Sequence, residues 1–126
     1  YNFKDNVKGF KLCDYVGTGF MCIKREVFET IIEKYPEIEY LSDINAKIDN
    51  KQLDKGKKEY AFFDCGIQGQ GVLSDPDNTK RYLSEDFYFC QLWKQCGGQI
   101  WSDITSELKH IGIKTFERKP ILKRHY

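Results

Sequence analysis

The sequence predicts an α/β fold of short strands alternating with two helices, and three patterns carry that expectation. An unbroken apolar run, "FMCI" at 20–23, feeds residues Val27, Phe28, Ile31, Ile32 and Tyr35, which recur at helical spacing. A second helix opens at "SED" and is stopped by Gly97 and Gly98. Between and after them, "YAFF" at 60–63 and "QIWSDI" at 99–104 have strand composition. The pattern leaves strand order open.

Taken in order, the first helix ends at or before Tyr35, because Pro36 disfavours helical geometry in the residue it follows. Gly17 and Gly19 bracket Thr18 just upstream and permit a tight bend or a close backbone approach. Residues 41–59 are polar and lysine-rich without a period and read as a loop or insertion. The strand at 60–63 opens at Asp64 and Gly66 into "QGQGVLSDPDNTKR", a loop punctuated by glycine, proline and asparagine. Ser84 is the expected N-cap of the second helix, with Leu83 and Tyr88 as a hydrophobic staple. Its expected apolar stripe is Phe89, Leu92, Trp93 and Cys96. Residues 113–126 read as a peripheral tail.

Composition excludes several classes. Of 126 residues 40% are hydrophobic and 15% aromatic, which is enough apolar material for a core and argues against disorder. Twenty basic against nineteen acidic side chains leave a net charge of +1, so nothing argues for a nucleic-acid partner. No apolar run reaches membrane-spanning length, and no signal-peptide pattern opens the chain. Five cysteines without a CxxC pair favour small buried hydrophobes and a reducing, cytoplasmic compartment; two bridges beside one free thiol are the alternative.

The candidate functional residues each have a structural reading beside the chemical one. Glu85 and Asp86 meet the positive end of the helix dipole, which explains them structurally. A carboxylate held there is also able to take a proton from an attacking hydroxyl within hydrogen-bond reach. His110 is either a satisfied structural histidine or an imidazole ligand for a divalent metal. Asp75 and Asp77 flank Pro76 in a pattern that turn formation explains as well as metal binding does. Phe87, Tyr88, Trp93 and Trp101 serve as core or as a sugar platform, with Trp93 on the core stripe. "GTG" lacks the length and the Lys-Ser/Thr ending of a phosphate loop, and neither a Ser-His-Asp order nor a nucleophile elbow is present.

In their order, "GTGFMCIKREVFE", "YLSEDFYFCQLWKQCGGQIWSDI" and "LKHIG" resemble the C-terminal half of a GT-A glycosyltransferase domain, similar to glycosyltransferase family 2 and its viral or phage-type members. The resemblance runs from Asp14 to Gly112. It implies a partial GT-A domain over residues 1–126, with a mixed sheet and flanking helices, and a nucleotide-binding half with its DxD motif upstream. It further implies transfer of a sugar from a nucleoside-diphosphate donor to a carbohydrate, lipid-linked or protein acceptor. Asp86 would be the general base of an inverting reaction and Glu85 its neighbour in the site. Gly17, Thr18, Gly19 and Trp101 would line the donor side, and His110 would help hold Mn²⁺ or Mg²⁺. The competing readings are a carbohydrate-binding or scaffolding domain derived from the same fold, and a divergent nucleotidyltransferase that would release pyrophosphate.

Overall fold

Two consecutive residues with positive φ, Lys8 at 48° and Gly9 at 84°, set the first hairpin. This is the geometry of a type I′ turn, whose twist matches that of the strands it joins. It pairs β1 (Asn6–Val7) antiparallel with β2 (Phe10–Cys13) in the computed structural model, which describes residues 6–41, 58–109 and 111–115. His110, most of the expected insertion (42–57) and most of the expected tail (116–126) lie outside the described residues.

The chain then runs through α1 (Arg25–Lys34), a 3₁₀ turn at Pro36–Ile38, β3 (Glu39–Leu41) and β4 (Lys58–Tyr60). Next come β5 (Gly66–Ile67), β6 (Tyr82–Leu83), α2 (Glu85–Gln95) and β7 (Ile100–Asp103). Helices and strands alternate as expected in a small mixed α/β domain. The mixed sheet is not seen: among the described residues the sheets are β1-β2-β7, β3-β4 and β5-β6, and each pairing is antiparallel. β7 returns to β2 in the register Phe10↔Asp103 to Cys13↔Ile100, which joins the two ends of the described chain.

The apolar run at 20–23 is not a strand. Met21 and Ile23 pack on the core from a loop, while Phe20 stands 81% exposed. Only Tyr60 of the 60–63 run lies in a strand, because the chain turns sharply at Phe62 and Phe63. That turn sends Phe62 edge-on to Phe28 at 4.9 Å and stacks Phe63 on Phe89 at 4.6 Å. The loop after Ile67 is an excursion between the paired strands β5 and β6. Asp75 ties it, accepting backbone N–H bonds from Thr79 and Lys80 at 3.0 Å each, which is the turn reading of "DPD".

α1 buries Val27 and Ile31 and ends at Lys34, as Pro36 requires. α2 is the centre of the molecule. Five successive residues, Tyr88 to Leu92, are buried, so the helix is enclosed on all sides there and carries no simple stripe. Ile31, Ile38, Leu73, Leu83, Phe89 and Leu92 form the core around it. Ser84 occupies the N-cap position with extended backbone, but its side chain makes no capping bond. At the other end Gly97 (φ 84°) donates to Lys94 O at 2.9 Å and Gly98 to Trp93 O at 3.0 Å. This is a Schellman stop.

The cysteines are free, and burial sorts them: Cys13 and Cys90 are buried, Cys96 is half-buried, and Cys22 and Cys65 are exposed. The last two depart from the expectation of buried hydrophobes. Among the described residues no helix is long and apolar enough to cross a membrane.

Two predictions follow from packing and charge. A Cβ at Gly98 would collide with the Trp93 indole, whereas one at Gly112 meets nothing within 4 Å. Gly98→Ala therefore costs about 1–3 kcal/mol in urea denaturation, and Gly112→Ala leaves the midpoint in place. Asp103 is exposed and accepts bonds from the backbone and hydroxyl groups of Thr105 and Ser106, which lower its pKa from 3.8 to about 2. Its stabilising contribution is complete above pH 3.8 and is lost as pH falls through about 2. A carboxyl-carbon NMR titration with a midpoint near 3.8 in the unaltered chain would contradict this.

Candidate functional site

α2 brings two separate stretches of chain to its two sides. On one side lies the segment after β2. Tyr15 stacks on Phe87 at 4.7 Å, and Lys94 Nζ stands over the Tyr15 ring at 4.1 Å while pairing with Asp14 at 3.8 Å. The Tyr15 hydroxyl donates to Gln91 Oε1 at 2.8 Å. Burial raises the Tyr15 pKa, opposed by the charge of Arg81, so the phenol stays protonated and able to donate. One residue earlier on the helix, Cys90 faces the Val16 carbonyl at 3.6 Å, and burial raises its thiol pKa. The segment is thus pinned along the helix before it reaches the glycines.

The pinned segment delivers Thr18 to the helix N-terminus, where its Oγ1 donates to Asp86 Oδ1 at 2.5 Å across 68 residues of sequence. Gly17 lies beside the other oxygen, since a Cβ there would stand 3.6 Å from Asp86 Oδ2. A Cβ on Gly19 would meet nothing within 4 Å, so the loop has open space on that side. Four of the sequence candidates, Gly17, Thr18, Gly19 and Asp86, therefore share one neighbourhood. Thr18 holds one carboxylate oxygen and leaves the second at an exposed glycine.

Glu85 faces a different neighbour. Its Oε2 lies 3.8 Å from the Cys65 thiol, on the stretch that leads out of β4. Trp101 stands on β7 opposite Leu12 and is 39% exposed. The hydrogen bonds and ring contacts that gather Tyr15, Thr18 and Asp86 do not include it. His110 lies outside the described residues. Among the described residues no three His, Cys, Asp or Glu side chains converge to hold an ion, and Asp75 is spent on its own turn.

The polar partners that make this geometry were not read from sequence. Gln91 and Gln95, one turn apart on α2, join Tyr15, Ser74, Tyr35 and the Val72 carbonyl in one network. Their signal was available: two glutamines at i and i+4 on a helix otherwise apolar at its centre. Also missed was a groove of about 770 Å³ beside Tyr88 of α2. Its lining includes Tyr60, Phe63, Asp64 and Tyr88 but not Gly17, Thr18, Gly19 or Asp86.

No protein-family model matches this chain, and no curated protein or solved structure matches it.

The Thr18–Asp86 bond is measurable apart from any activity. In a double-mutant cycle of Thr18→Val and Asp86→Ala, unfolding free energies are expected to show coupling of about 1–2 kcal/mol, as befits a half-buried bond to a charged acceptor. Additive effects would mean that the two groups do not interact in solution.

Proposed function

We propose that this chain is the acceptor-side part of a GT-A-type glycosyltransferase and that Asp86 is its general base. The observation that carries the reading is the Thr18–Asp86 hydrogen bond, which joins the "GTG" bend to the opening of the "ED" helix. Both belong to the stretches whose order resembles that family, and their meeting in space is independent of that order.

The chemistry follows from how the carboxylate is held. Thr18 donates to Oδ1 and fixes the plane of the group, so Oδ2 beside Gly17 is the oxygen presented to substrate. A hydroxyl of the acceptor within hydrogen-bond reach of Oδ2 gives up its proton there as its oxygen attacks the anomeric carbon of the donor. A new glycosidic C–O bond forms, the bond from the anomeric carbon to the diphosphate oxygen breaks, and the nucleoside diphosphate leaves. Attack from the face opposite the leaving group inverts the anomeric centre. Glycine on one side and a small hydroxyl on the other keep bulk away from the attacking oxygen. Glu85, on the adjoining helical position, borders the acceptor. The cation that the resemblance implies would be held by His110 and an upstream DxD motif, and it would neutralise the departing diphosphate.

The test is nucleoside-diphosphate release by the full-length protein that carries this segment, with UDP-, GDP- and TDP-sugars and mixed acceptors. Asp86→Asn keeps the shape and the bond from Thr18 but removes the base, so turnover should fall about 10²–10⁴-fold with folding intact. Undiminished turnover in that variant would assign the proton transfer elsewhere.

A further inference from the structure

The groove beside Tyr88 has no role in the chemistry above. Its volume of about 770 Å³ falls in the range of small-molecule sites. Its walls come from the turn after α1, the strands β3 and β4, the bend at 61–64, the loop at 71–72 and α2. Tyr40, Tyr60 and Phe63 line it with aromatic surface. Tyr88 adds something different. The residue is 6% exposed, yet its hydroxyl makes no hydrogen bond among the described residues. No fully buried side-chain polar atom lacks a partner there, so the hydroxyl is the point at which Tyr88 meets solvent in the groove. An enclosed phenol with its donor and acceptor both unused offers that position to a polar ligand group.

Charge decides which group fits. Glu37, Glu39 and Asp64 line the groove, and no lysine, arginine or histidine does. Lys58 pairs with Glu39 at 3.4 Å. Asp64 accepts the Cys65 N–H at 2.8 Å with Oδ1 and is in no ion pair, and Glu37 has neither an ion pair nor a hydrogen bond among the described residues. Two negative charges are thus uncompensated. Both stand close enough to raise the Tyr88 pKa, after the larger effect of burial, so the phenol stays protonated beside them. A neutral ligand would displace water from both carboxylates and return no charge. A bare divalent ion would find no third ligand among the described residues and no use for the aromatic walls. A lysine-rich peptide brings more positive charge than two carboxylates match. An alkyl chain with an ammonium at each end answers every feature, since its N–H groups suit the carboxylates and the phenol oxygen and its cationic ends and methylenes suit the ring faces.

We propose that this groove binds a small linear diamine or polyamine, whose ammonium groups pair with Glu37 and Asp64 and donate to the Tyr88 hydroxyl oxygen while the methylene chain lies against Tyr40 and Phe63. The site goes beyond the glycosyl-transfer reading and does not depend on it, because the lining holds neither Thr18 nor Asp86. Its affinity is electrostatic in origin and falls as salt screens the two carboxylates.

Amide NMR titration of the full chain tests this, with diaminobutane and spermidine as probes beside butanediol, Mg²⁺ and a lysine-rich peptide. The amines should shift the Cys65 and Tyr88 amide signals, and butanediol, of the same length but uncharged, should not. Amine binding should weaken about tenfold in Glu37→Gln and in Asp64→Asn, the scale of one lost charged contact. In Tyr88→Phe, which keeps the core ring, it should weaken about threefold. Asp64→Asn retains an acceptor for the Cys65 N–H, and Glu37→Gln is isosteric, so neither disturbs the fold. Binding should be unchanged in Asp86→Asn. Absence of amine binding, binding that ignores both carboxylate substitutions, equal binding of butanediol, or tighter binding of Mg²⁺ or the peptide would each overturn the site.

Discussion

Enclosure of the middle of α2 is the constraint on which the other parts of the molecule depend. A helix buried on all sides must satisfy every polar side chain it carries inward, or each orphan costs about 1–3 kcal/mol. Gln91 is 6% exposed, yet it is held by Tyr15, Ser74 and Gln95. Gln95 in turn reaches Tyr35 and the Val72 carbonyl, and its own carbonyl accepts from Lys34. Through two amides the helix fixes the segment after β2, the loop between β5 and β6, and the end of α1. Among the described residues no buried side-chain polar atom is left unsatisfied.

The same arrangement explains which parts of the fold were legible in sequence. Both helices and β7 were readable because local signals end them: Pro36 after α1, the Gly97–Gly98 pair after α2, and strand composition from Ile100. The run at 20–23 misled, since hydrophobicity marks burial and not ladder pairing. Its Met21 and Ile23 are partly buried in a loop. β2 went unread because "FKLC" owes its strand state to a partner some ninety residues away in the chain, which no local window contains. The stripe on α2 was narrower in sequence than in the structure. Cys90 and Gln91 are buried by the Tyr15 segment, not by periodicity.

For the site, the carboxylate pair and the glycine bend were legible, but the division between the two carboxylates was not. Asp86 turns toward Thr18 and Glu85 toward Cys65, because adjacent helical positions point about 100° apart. No reading of "ED" as a unit shows that split. Trp101 looked like a platform by its chemistry, and it is exposed on β7, outside the Tyr15–Thr18–Asp86 contacts. The groove escaped notice for another reason. Its lining is drawn from β3, β4, the bend at 61–64, the loop at 71–72 and α2, so no single stretch of sequence displays it.

The distances along the chain have a consequence for how the molecule forms. Thr18 and Asp86 are separated by 68 residues, and Tyr15 and Gln91 by 76. Closing loops of that length carries an entropic cost that is met only when the contacts beyond them are in place. The β5–β6 pair and α2 are neighbours in sequence and can assemble early, whereas the glycine bend waits for β2 to find β7. Asp86 therefore depends for its partner on contacts far from it in sequence. It acquires its partner only as the two ends of the described chain come together, so the completed site reports on a finished fold.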